Sequence, residues 1–214
     1  MLTPLNSQLS TMPSQLDYKL TLQIFQSQRL RRDHADLAVE PQYRQIAEFF
    51  FEEMYGPHDF SSRDEQAHRL QQFVHLAPGL AARDVQDVLD LLELTNHLDD
   101  AVAAQLSALE APLDFDEIMY ERAYQRCDNH SDRMRQIDLS RNALYNVYRM
   151  ARKPLIGAVL QRTQGLAQTV GMSDIHRFLR LGHQAILPVR DIHRFVETIL
   201  LREQDRLDRI YEVS

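Results

Sequence analysis

The chain has 214 residues, 44% of them hydrophobic and 26% charged, with a net charge of −7 at pH 7. Such a composition supports a real core, and the acidic balance argues against a general nucleic-acid binder. No run of 18 apolar residues occurs, so no spanning helix is expected, and the one cysteine, Cys127, excludes an internal disulfide or a multi-thiolate metal site.

Only 6 Gly and 8 Pro, among many Leu, Ala, Gln and Arg, favour helix over strand. Residues 1–15 are polar, contain Pro4 and Pro13, and are expected to be a loose tail that lacks the features of a signal peptide. A helical pattern then runs from Leu16 to about Val39, where Pro41 stops it and opens a second helix to about Tyr55. In "EEMYGPHDFSSRDE", Gly56 and Pro57 suit a helix end, while Ser62 and Glu65 have capping-box spacing. Helix formation does not account for Tyr55, His58, Asp59, Phe60 or Arg63. A third helix is expected from about Arg63 to Leu76, and a long fourth from about Ala82 to Leu109 with Val85, Val88, Leu89, Leu92, Leu98, Val102 and Leu106 on one face. Asp114 to Glu117 form a second capping box opening a helix to about Cys127, and Ser131 caps the next, to about Arg152. Beyond Pro154 come a helix closing at Gly171, one capped by Ser173 and broken at Pro188, and a last from about Arg190 to Tyr211. The expected fold is all-α: one domain, residues 16–214, a bundle of eight or nine helices.

Charge is segregated along the chain. From Asp84 to Glu121 there are eleven acidic residues and no Lys or Arg; from Arg122 to Arg162 there are nine basic residues against three acidic. Either two helical hairpins turn opposite charges to water and to each other, or the Arg-rich segment offers a face to a partner or an anion.

Nine histidines raise a metal or haem reading. Glu65 and His68 match a di-iron spacing, but His68 and His75 fall opposite the apolar face of their helix, as Glu93 and His97 do on theirs. His176 and His183 flank the Ile175-Phe178-Leu179-Ile186 face, and with His193 they form the candidate ligand set for haem or iron. No phosphate loop, dinucleotide fingerprint or nucleophile elbow is present, and Cys127 lies on an apolar face. Polar residues inside apolar stripes are the stronger signal. Arg141 falls among Ile137, Leu144 and Tyr145; His193 shares a stripe with Val196 and Leu200; Glu203 with Ile199 and Leu207; and Glu53 borders Phe50. A buried Arg needs a counter-charge, so Arg141 is expected to pair with Glu53, Asp59 or Glu203. The candidate buried cluster or pocket is therefore Glu53, Tyr55, His58, Asp59, Arg63, Arg141, His193 and Glu203.

The segment from Phe49 to Asp64 resembles the hallmark FFxxxxYGPxDFSxRD of an uncharacterised bacterial all-helical family, and Arg135-Gln-Ile137 and Arg152-Lys-Pro-Leu-Ile156 resemble its later blocks. The resemblance implies a helical fold and carries no activity, cofactor or functional residue. The leading expectation is a cytoplasmic, non-enzymatic interaction or regulatory protein with complementary acidic and Arg-rich faces, self-associating or bound to a protein partner. A small anionic ligand is compatible with the cluster. The alternative is a haem- or metal-binding helical enzyme or sensor; a DNA-binding regulator is weaker.

Overall fold

A computed structural model describes residues 13–54, 65, 66, 69 and 82–212. All regular structure among them is helical: α1 (Gln15–Asp33), α2 (Ala35–Ala38), α3 (Arg44–Phe49) running on as a π-helix (Phe50–Met54), α4 (Ala82–Ala108), α5 (Glu117–Arg126), α6 (His130–Ala151), α7 (Pro154–Arg162), α8 (Gln164–Thr169), α9 (Ser173–Ile186) and α10 (Ile192–Glu212). None of the described helices is long and apolar enough to cross a membrane.

Local chemistry sets most of these boundaries. Ser14 Oγ accepts from the Asp17 backbone N–H at 3.2 Å while Asp17 accepts from the Ser14 N–H at 2.8 Å, so a capping box starts α1 inside the segment expected to be loose. Asp116, not Asp114, caps α5, and neither Ser131 nor Ser173 acts as an N-cap, since α6 begins two residues and α9 one residue earlier than such a cap allows. Gly171 takes φ +68° just past α8, and the Met172 N–H reaches back to the Ala167 carbonyl at 2.8 Å; this is the left-handed exit that Gly tolerates best.

Tertiary pull breaks two helices that the apolar period alone would continue. His34 leaves the helical region (φ −120°, ψ 22°) because its ring is fully buried against Glu203, and α1 ends there. Thr163 returns its hydroxyl to the Val159 carbonyl at 2.8 Å and touches His176 at 3.2 Å, separating α7 from α8. Along Phe49-Phe50-Phe51 the helix widens to π geometry, and Ser27 Oγ donates to the Phe51 carbonyl at 3.0 Å.

Helices α1, α4, α6 and α10 form the body, with α4 packed against both α1 and α6, and α6 against α10. One apolar cluster joins the end of α1, α2, α3, α6, α9 and α10 through Leu30, Tyr43, Phe51, Ile186, Phe195 and Ile199. A second joins the start of α1 with α4 and α5 through Tyr18, Leu22, Val102, Leu106, Phe115 and Tyr120. A smaller third places α4 against α9 through Leu89, Leu92, Ile175 and Phe178. Helix α9 approaches α3 closely at Gly182, where an added Cβ would stand 3.0 Å from the Phe49 ring. Gly182→Leu is therefore expected to destabilise the fold by about 1–3 kcal/mol through overpacking, measurable as a lower urea midpoint with unchanged slope.

Candidate functional site

Between the first two apolar clusters lies a polar layer contributed by α1, α4, α5, α6 and α10. It surrounds a cavity of about 60 Å³ whose wall includes Gln26, Arg29, Asp99, Tyr124, Arg133 and Glu203. Each of these side chains reaches the interior because it occupies the apolar stripe of its helix: Arg29 stands seven residues after Leu22, Asp99 three before Val102, and Arg133 four before Ile137.

Arg29 is buried and makes a two-pronged pair with Glu203, at 2.8 Å and 2.7 Å, with Asp33 a further 3.3 Å contact. His34 Nε2 lies 3.2 Å from the same Glu203 carboxylate. Arg133, only 3% exposed, is held differently. It donates to the Leu98 carbonyl at 3.1 Å and to Gln136 at 3.4 Å, and its guanidinium stacks 4.2 Å from the centre of the Tyr124 ring. Asp99 accepts from Gln26 Nε2 at 3.2 Å. Three buried atoms of these wall residues lack a hydrogen-bond partner, namely Arg29 Nε, Arg133 Nε and Gln26 Oε1. Beside the layer, Arg206 on α10 joins Asp33, Glu117 and Glu121.

The two acids in the wall respond oppositely to burial. Desolvation alone would raise the Glu203 carboxyl, but Arg29 and then His34 outweigh it and hold Glu203 well below the usual carboxylate range. For Asp99 desolvation prevails over Arg133, Gln26 and Lys19, and the carboxyl is pushed up to about 6. Burial likewise raises the Tyr120 and Tyr124 phenols, and it raises the Cys127 thiol, which makes a poor nucleophile.

Residues 7–214 match a protein-family model described as Domain of unknown function (DUF8198). The chain belongs to that family. No curated protein and no solved structure matches it. Membership in DUF8198 agrees with the resemblance to a family without an assigned activity, and it transfers no functional residue.

Within this DUF8198 chain the expected cluster is divided among separate helix pairs. Arg141 does not meet Glu53 or Glu203: Asp138, one turn back on the same helix, takes it at 2.8 Å, and Glu197 of α10 lies at 3.4 Å. Glu203 is spent on Arg29 and His34, and Glu53 accepts both prongs of Arg177 at 2.9 Å and 2.7 Å. His193 is exposed, its ring beside Tyr145, and is not on the buried face of α10. Tyr55, His58, Asp59 and Arg63 lie outside the described residues.

The alternative ligand set is also spread apart. His176 Nε2 is engaged by the Leu160 carbonyl at 2.8 Å, His183 sits over Gly157, and His193 belongs to α10. Among the described residues no three His, Cys, Asp or Glu side chains are placed to hold a metal, and no histidine lines the cavity. His176, His183 and His193 thus do not converge on one place in the fold.

The residues that do converge and were not singled out are Gln26, Arg29, His34, Asp99, Arg133 and Arg206. Their signal was the one that exposed Glu203, a polar residue in register with an apolar stripe. Arg133 lies on the Ile137 stripe one turn before it, and Arg206 lies three residues after Glu203.

Proposed function

We propose that the chain is a non-enzymatic interaction module that associates with a second copy of itself through two apolar patches of opposite charge. The observation that carries this reading is α7, which buries none of its residues. Leu155, 70% exposed, and Val159 stand one turn apart on it, flanked by exposed Arg152, Lys153 and Arg162. A second patch precedes and opens α5: Leu113 and Ile118, the latter 77% exposed, are flanked by exposed Glu110, Asp114 and Asp116. Exposed apolar side chains rimmed with charge mark interaction surfaces, and basic against acidic rims select this pairing over either patch with itself.

The segregated charge of the sequence supports the same reading. Part of the acidic segment is met inside the fold: Asn146 donates to Asp87 at 2.9 Å, and Arg206 joins Glu117 and Glu121. The basic side chains around α7 and the acidic ones before α5 are exposed. The pairing is taken as heterologous, one patch of each copy meeting the other patch of the next.

Sedimentation velocity across a range of protein concentrations tests this. Concentration-dependent association that weakens from low to high salt is expected, and Leu155→Asp or Ile118→Lys each removes it. A wild-type chain that stays monomeric at every concentration and salt overturns the reading.

A further inference from the structure

The cavity in the polar layer holds charge that the chain's own groups do not close. Arg29 is neutralised in contact by Glu203, but among the described residues no carboxylate lies within 4.0 Å of the Arg133 guanidinium. The direct contacts of this buried cation are a carbonyl, an amide and a ring face, with Asp99 acting on it at longer range, so it keeps the capacity to hold a small anion. The unpartnered Nε of Arg133 shows that its donor capacity is not used up. Size limits the occupant, because about 60 Å³ takes a few waters or a small ion and excludes nucleotides and sugar phosphates.

We propose that this cavity binds a small monovalent anion of chloride or nitrate size, with Arg133 as its principal donor. The site is independent of the surface patches. Asp99 stands in the same wall and governs occupancy. It is faced by Arg133 from α6, by Lys19 and Gln26 from α1, and by Asp100 of its own helix. When ionised it competes for the field of Arg133 and repels an entering anion; when neutral it admits one. Since burial pushes the Asp99 carboxyl up to about 6, the anion binds more tightly at pH 5.5 than at pH 8.

Thermal unfolding in millimolar sodium nitrate, against sodium gluconate at equal ionic strength, tests the site, since gluconate is too large to enter. General salt effects favour gluconate, so a specific site shows itself with the opposite sign. The expected result is a saturable nitrate-dependent rise in Tm of about 2–4 °C at pH 5.5, smaller at pH 8. Asp99→Asn is expected to bring the pH 8 response up to that at pH 5.5, and Arg133→Met to abolish the response at both. Should Arg133→Met fail to fold, Asp99→Asn decides alone. Equal responses of wild type and Asp99→Asn at pH 8, or no saturable nitrate effect in wild type at pH 5.5, overturn the proposal.

Discussion

Glu203→Ala is expected to destabilise the protein by about 3 kcal/mol in urea unfolding at pH 7, more than an ordinary substitution at a partly buried position. The cost comes from what remains behind. Arg29 loses both prongs of its pair and His34 its ring partner, and both side chains are buried. Asp33, 3.3 Å from Arg29, keeps the loss toward the low end of the range for a broken buried pair. The double variant Arg29→Met/Glu203→Leu, which removes the charges together, is expected to recover most of it. Glu203 is held below its ordinary value of 4.5, so its contribution is present above that pH and fades as pH falls through the folded value. Equal stability of Glu203→Ala and wild type at pH 7 would show that the pair does not form.

Asp99→Asn is expected to act in the other direction, raising stability at pH 7.5 by up to about 3 kcal/mol. An aspartate whose folded value is pushed from 3.8 up to about 6 favours the folded state fully only while it is protonated. Stability is lost as pH rises from 3.8 through about 6, and the difference corresponds to about 3 kcal/mol at 1.36 kcal/mol per pH unit. Asparagine resembles the protonated acid and still accepts from Gln26, so the variant escapes the loss. Its advantage over wild type should be absent near pH 4, grow to pH 6.5 and level off beyond. Urea unfolding at pH 4 and pH 7.5 measures this, and an equal advantage at both would contradict it. Gly182→Leu is expected to act without such pH dependence, because its cost is steric.

The fold was legible wherever local rules agree with packing. Helix α4 runs from Ala82 to Ala108, within one residue of the limits set by its apolar period, and the helical stretch after Pro154 closes at Gly171 as expected, with Gly171 in the left-handed conformation. The breaks at His34 and Thr163 were not legible, because each depends on a distant group: Glu203 is 169 residues from His34, and His176 belongs to another helix. The π-helix at Phe50–Met54 has the same character, three aromatic residues in succession being fitted to different neighbours.

The polar layer was half legible. Glu203 was found because it interrupts an apolar stripe, and Arg133 satisfies the same test. Arg141 was preferred although Asp138, three residues away, offered a local partner at the surface. Pairing is what periodicity leaves open. It shows which charges turn inward, and the packing of α1 against α10 determines that Arg29 meets Glu203.

The most direct test of the proposed association is to mix Leu155→Asp with Ile118→Lys. Each variant alone should sediment as a monomer, since each has lost one patch of a contact that needs both. Leu155→Asp keeps the acidic patch and Ile118→Lys the basic one, so the mixture should form a dimer and stop there. A mixture that remains monomeric while wild type associates, or variants that associate alone as well as wild type, would contradict the pairing of these two surfaces.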